Sequence, residues 1–267
     1  MPLHPCCLAA SLPSPYLAYM PELVLLTIDD GIATLTMNRP EARNALSLQL
    51  INAMGDALGR IEADDTLRVM ILTGAGKCFC SGMDLKGVMS DPITMADMLR
   101  GLSQITRRIR RLTIPVIARV QGAAVGGGCG LMVTADFAIT HPEAKVGYPE
   151  VDLGLCPAVV APWLMRRIGP GRARAMLLAG GTMTGTEGFE AGLASHLVEA
   201  DQLESTATEL ARSLCKGGKE ALAVTKRWLN ELDGSQEDAV LDKAAELSAK
   251  VIAGEEAQTR LRELFGD

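Results

Sequence analysis

Aromatic side chains make up only 3% of this 267-residue chain, and histidine occurs just three times, as His4, His141 and His196. With so few rings, Ala, Val, Leu, Ile and Met must fill the core, and hydrophobic residues in total reach 48%. The scarcity of histidine leaves no convincing Cys–His or Ser–His pair for nucleophilic catalysis. Seven cysteines, at positions 6, 7, 78, 80, 129, 156 and 215, are odd in number and scattered. That arrangement excludes a disulfide framework and suits reduced thiols in a cytoplasmic protein. Cys78 and Cys80 have no second ligand pair and no neighbouring histidine, so no metal site is expected. An excess of cations is also missing. The net charge of −6 argues against a nucleic-acid binder, although a local basic patch could still meet a phosphorylated small molecule. No apolar run is long enough for a membrane span. Neither G-x-G-x-x-G nor G-x-x-x-x-G-K-[ST] occurs, which weakens dinucleotide and P-loop readings.

What is present is alternation. Leu23 to Ile28 and Ile32 to Met37 read as strands, and Asp29-Asp30-Gly31 between them is a hairpin signal. Ser47 is placed to cap a helix carrying Leu50, Ile51, Met54, Leu58 and Ile61 at helical spacing. Val69 to Thr73 and Val116 to Val120 read as buried strands around a helix from Ile93 to Leu112. The cycle continues through 122–135 and Phe137 to Thr140, which implies an α/β core of largely parallel strands with crossover helices. After Gly171 the pattern becomes almost wholly helical, with candidates at Arg172 to Leu178, Thr186 to Ala191, Leu203 to Cys215, Lys219 to Leu232 and Glu237 to Ile252. The division expected is a disordered extension over 1–20, an α/β core over 21–200 and a helical region over 201–267. The basic run Arg107, Arg108, Arg110 and Arg111 would spread around its helix, predicting a solvated or subunit-facing surface.

Three segments fall at predicted strand ends, where α/β proteins place their sites: 74–84, 122–130 and 146–157. The triplet Gly126-Gly127-Gly128 precedes the apolar run Cys129 to Val133. Glycine lets backbone approach a ligand closely, and a helix N-terminus leaves amides free for an oxygen gaining negative charge. Taken alone, the triplet is equally compatible with a tight packing turn.

Combined, the segments are specific. Asn38-Arg-Pro-Glu-Ala-Arg-Asn-Ala-Leu46, Lys77-Cys-Phe-Cys-Ser-Gly-Met-Asp-Leu85, the glycine triplet and Pro149-Glu150 together resemble the crotonase family, the enoyl-coenzyme A hydratase/isomerase superfamily. The likeness runs from about Leu23 to the C-terminus. It implies a spiral of ββα units with a C-terminal helical trimerisation region, assembling as a homotrimer or a dimer of trimers. It also implies an acyl-coenzyme A thioester substrate, with coenzyme A entering as part of the substrate and no prosthetic group. Met83 and Gly127 would supply the two N–H groups of an oxyanion hole, and Gly82, Met83, Asp84, Leu85 and Gly126 would contact the coenzyme A thioester. Lys77 and Lys86 would flank the groove for the nucleotide end, and backbone groups near Glu41 and Ala42 would line it. Ordinary surface charge is the alternative account of the lysines.

Glu150 would be the acid/base. Hydratases of the family commonly carry a second glutamate directly after the Gly-Gly-Gly-Cys run, where this chain has Gly130. A single carboxylate suffices to move a proton between two carbons, whereas activating water with it is harder. The run Glu150 to Pro162 is similar to the branched-chain glutaconyl-coenzyme A hydratase subgroup, whose members also tend to lack the first glutamate. Tyr148 and Asp152 could assist, with Asp152 equally suited to a turn. Hydration, isomerisation alone, thioester hydrolysis and catalytically silent acyl-coenzyme A binding are the readings this leaves open.

Overall fold

The computed structural model describes residues 22–87 and 91–266, so the expectation for 1–20 lies outside the described residues. The chain opens with β1 (Val24–Asp29) and β2 (Ile32–Met37), an antiparallel hairpin. Asp30 and Gly31 both take positive φ, 45° and 77°, the backbone that a two-residue turn between twisted strands demands. Helix α1 (Leu48–Glu62) starts where Ser47 Oγ accepts from Leu50 N at 3.2 Å.

Three turns of one unit follow. Each gives a strand to a large sheet, a short segment to a second layer, and then a helix. The first turn holds β3 (Val69–Gly74), the Cys80 and Met83 bridges, and α2 (Pro92–Arg111). The second is β4 (Val116–Arg119), β5 (Ala124–Val125) and α3 (Gly127–Thr134). The third is β6 (Phe137–Thr140), β7 (Lys145–Gly147) and α4 (Ala161–Ile168). Then come α5 (Pro170–Ala179), β8 (Thr182–Thr184), α6 (Gly185–Glu190) and β9 (His196–Leu197). The large sheet has order β1-β2-β3-β4-β6-β9 and is parallel from β2 onward, and β5-β7-β8 forms the small one. This is the parallel core with crossovers that the alternation implied.

Helix α3 is buried on every side, as expected of a helix without a polar face. The chain closes with α7 (Leu203–Cys215), α8 (Lys219–Leu232), α9 (Asp238–Ile252) and α10 (Glu255–Phe265). Helix α7 lies against the large sheet, its Leu203, Ala207 and Ala211 joining Val69, Ile71 and Ile117. Helix α9 packs along α2, and α10 against the turn after β7.

That docking corrects the reading of the basic run on α2. Its four arginines are intramolecular clamps. Arg107 pairs with Asp238 and Asp242, Arg108 with Glu62 at 2.7 Å, Arg110 with Asp233 at 2.6 Å, and Arg111 with Asp238 at 2.8 Å. Three of the four therefore bind α9 or the loop between α8 and α9 of their own chain. Beside them, buried Lys226 donates to Asp136 Oδ2 at 2.7 Å and to Ile114 O at 2.9 Å, meeting the requirement that a buried charge be paired. The region after Gly171 is mostly helical, as expected, with two short strands added. β8 and β9 form there because each finds an existing edge, β8 beside β7 and β9 beside β6.

Candidate active site

Two loops meet over the start of α3. The first, after β3, is tied down at both ends. Leu46 N donates to Gly82 O at 2.8 Å and Asp84 N to Leu46 O at 3.0 Å, a parallel bridge that leaves the amide of Met83, between them, pointing the other way. Arg39 adds an ion pair to Asp84 at 3.1 Å and a bond to Ala45 O at 2.7 Å. Asn44, fully buried at φ 54°, donates to Ala75 O at 3.0 Å and Cys78 O at 2.7 Å. An asparagine tolerates this left-handed backbone and has two amide donors to bond both carbonyls.

The second loop is the glycine triplet. Gly126 holds φ 55° and ψ −121° as the residue before α3, and Gly127 opens the helix. Its N–H is one of the orphaned amides of a helix start. Among the described residues, neither Met83 N nor Gly127 N donates a hydrogen bond within the chain. The close approach explains the glycines. A Cβ on Gly82 would sit 2.9 Å from Val125 O and 3.9 Å from Gly127 N, and a Cβ on Gly128 would sit 2.2 Å from Cys80 O. The packing-turn reading of the triplet thus holds, and that packing seats the glycine turn against the loop after β3.

Glu150 lies beside the glycine turn. It begins a 3-10 turn, Glu150–Leu153, closed by Gly154 in the left-handed region at φ 70°. Leu155 N returns to Glu150 O at 2.8 Å, and Asp152 Oδ2 accepts from Gly181 N at 2.8 Å. Asp152 therefore fixes the turn. Glu150 Oε2 is shut from solvent with no hydrogen-bond partner among the described residues, and a Cβ on Gly126 would lie 3.1 Å from Oε1. Burial, reinforced by the nearby Asp152 charge, pushes the Glu150 carboxyl up to about 7. A carboxyl poised there can take and return a proton near neutral pH.

Gly82, Met83, Leu85, Gly126, Gly127 and Glu150 all line one cavity of about 170 Å³. The remaining expected residues do not. Asp84 is spent on Arg39; Glu41, Lys77 and Lys86 are exposed on the rim segments and Ala42 is half-buried. Tyr148 is fully buried away from the cavity, its hydroxyl without a partner among the described residues, and burial pushes its pKa well up. Sequence reasoning missed the other walls: Leu99 and Leu102 from α2, Val159 and Val160 before α4, Ile252 from α9 and Phe265 from α10. Val160 is the most informative of these. A Cβ on Gly130 would meet Val160 Cγ1 at 2.4 Å, so the space that a side chain at 130 would need is already filled by a branched apolar group.

Other nucleophile and metal readings find no support here. Ser195 Oγ does lie 2.9 Å from His196 Nδ1, a pair that the sequence did not suggest, but both backbone groups of Ala138 already hold that hydroxyl and it lies outside the cavity. Among the described residues the cysteines are free, and no group of His, Cys, Asp and Glu could hold a metal ion. Burial pushes the Cys80 and Cys129 thiols up to about 12, which leaves them unreactive. No helix among the described residues is long and apolar enough to cross a membrane.

The family model described as enoyl-CoA hydratase/isomerase matches residues 27–263. The chain is 35% identical over 248 residues to the 1,2-epoxyphenylacetyl-CoA isomerase of Escherichia coli, covering 90% of this chain and 94% of that one. It is 33% identical to the crotonyl-CoA hydratase of Syntrophomonas wolfei, over 85% of this chain and 87% of the relative. Among solved structures, an enoyl-CoA hydratase/isomerase from Mycobacterium paratuberculosis superposes with a TM-score of 0.83 at 28% identity, covering 92% of this chain and all of that one. With both loops and Glu150 in place, and with a family match over most of its length, the chain belongs to the enoyl-CoA hydratase/isomerase family.

Proposed function

We propose that the protein acts on an acyl-coenzyme A thioester, with Met83 N–H and Gly127 N–H receiving the carbonyl oxygen and Glu150 alone moving the proton. The observation that carries this reading is that Glu150, whose Oε2 has no partner among the described residues, lines one cavity with Met83 and Gly127. Drawing a proton from the carbon beside the thioester makes the carbonyl enolate-like, and each donor to its oxygen is worth about 3 kcal/mol in the transition state. Returning that proton two carbons away shifts a double bond, so Glu150 closes an isomerisation with no further group. Val160 favours this over hydration, because it fills the position from which a second carboxylate would hold water.

Among the described residues, Glu150 and the Cys156 thiol are the only titratable side chains lining the cavity. A carboxylated acyl group would find no cation there, so the substrate is an uncharged acyl group and not a glutaconyl-like one. The exposed Lys77 and Lys86 would meet the phosphates of the nucleotide end. Incubation with 3-enoyl and 2-enoyl thioesters, followed by mass analysis, tests the reading. Products of unchanged mass with a moved double bond are expected. A gain of one water would favour hydration, and free thiol would favour hydrolysis.

The same reading includes assembly with copies of itself. Val224, Trp228, Leu229 and Leu232 on α8 and Val240, Leu247 and Val251 on α9 are exposed apolar groups along two adjacent helices. Such a patch marks an interface, and a trimer or dimer of trimers is the expected mass by light scattering. A monomer at micromolar concentration would reject it.

A further inference from the structure

The end of the chain is built into the wall of the acyl cavity. Helix α10 packs on the turn that carries Glu150: Ala257 is buried there, the Arg260 stem lies where a Cβ on Gly154 would come within 2.7 Å, and Arg260 Nη1 approaches Asp152 O at 3.4 Å. Gln258 Nε2 ties the same helix to Ile252 O at 2.7 Å. From this seat α10 delivers Phe265, half-buried, into the cavity beside Ile252.

The cavity is also small. About 170 Å³ must take whatever leaves the reacting carbons, and an apolar cavity of about 150 Å³ is filled by one benzene. An acyl group much beyond six carbons therefore meets a wall. Most of that wall is rigid, formed by α2, the segment before α4 and α9, all held in the main core. Phe265 differs. It stands at the last turn of α10, with Leu264 beside it facing solvent.

We infer that Phe265 is the specificity-determining residue for acyl length, closing the cavity against long chains from the C-terminal helix. The inference rests on the acyl-thioester reading above but not on which reaction follows. Removing the ring opens the cavity at that end, and contact with each further methylene group of a longer chain is then gained rather than refused.

The test is binding of saturated thioesters, which cannot be turned over by proton transfer to a double bond. Calorimetric Kd values for butyryl- and decanoyl-coenzyme A are compared between the full chain and its Phe265→Ala variant. The expected result is a shift of about tenfold in the decanoyl-to-butyryl affinity ratio toward decanoyl, with butyryl affinity nearly unchanged. Phe265→Trp should move the ratio the opposite way. An unchanged ratio in both variants overturns the assignment of Phe265, leaving the acyl-thioester reading intact. Failure of butyryl-coenzyme A to bind the unmodified protein overturns both.

Discussion

Replacing Glu150 with Gln is expected to lower kcat for double-bond migration by about 10³-fold, while Kd for a saturated acyl thioester changes by less than about twofold. The amide preserves the shape of the side chain and its place in the turn begun by Pro149, so binding to Met83 N and Gly127 N should survive. What it loses is the ability to hold a proton between the two carbons. Among the described residues Glu150 is the one carboxylate lining the cavity, which is why the loss should sit near the middle of the range for acid–base catalysis. Steady-state rates with a 3-enoyl thioester, alongside calorimetric binding, separate the two effects. Retention of full kcat would remove Glu150 from the mechanism.

The pH profile carries the same argument further. Abstraction requires the ionised carboxylate, so kcat/KM should rise with pH and level off above an inflection near the Glu150 value of about 7. The stability profile runs the opposite way. Glu150 has its folded-state pKa raised above the ordinary 4.5, so below that ordinary value it is neutral in both states and costs nothing. As pH rises through about 7 the folded protein must hold a charge in an apolar cavity, a penalty of about 3 kcal/mol at full development. The Gln variant should therefore melt above the parent at pH 8 and together with it at pH 4. A residue that destabilises the fold in the pH range where it works is the usual mark of a site shaped for chemistry.

Much of this was legible in the sequence because it depended on neighbours in the chain. The hairpin at Asp30-Gly31, the cap at Ser47, and α7 and α8 follow from local propensity and appear with the expected bounds. The two loops and Glu150 were legible too, since glycine at close approaches and a carboxylate after Pro149 leave a pattern. The rest depended on partners far away. Thr182–Thr184 falls between two expected helices and becomes a strand only because β7 offers an edge. The α2 arginines look like a solvated face until α8, α9 and the loop joining them bring Asp233, Asp238 and Asp242 against them. Gly130 signalled a missing carboxylate, but nothing local showed that Val160, thirty positions on, fills its space. Phe265 is one aromatic in a strongly charged helix, and only the docking of α10 turns it toward the site.

Gly128→Ala is expected to lower kcat/KM by 10²- to 10³-fold, although its side chain would never touch substrate. The new methyl would lie 2.2 Å from Cys80 O and 2.9 Å from Cys80 Cβ, and the first of these is backbone that cannot rotate away. Cys80 O is already the acceptor for Val125 N at 3.0 Å, so it cannot move without loosening the bridge between the two loops. The relief available is for α3 to withdraw from the loop after β3, and that separates Gly127 N from Met83 N. Losing one aimed donor costs about 10² to 10³ in rate, and a shift of about 1 Å suffices to lose it. Overpacking of this kind also costs about 1–3 kcal/mol of stability, so the melting temperature must be read beside the rate. Gly171→Ala supplies the comparison, since a Cβ there, near the start of α5, meets nothing within 4 Å. That variant should keep full activity with equal or higher stability. If Gly128→Ala instead folded and turned over substrate like the parent, the two amides could not be acting as a pair, and the polarising site would have to be sought away from this junction.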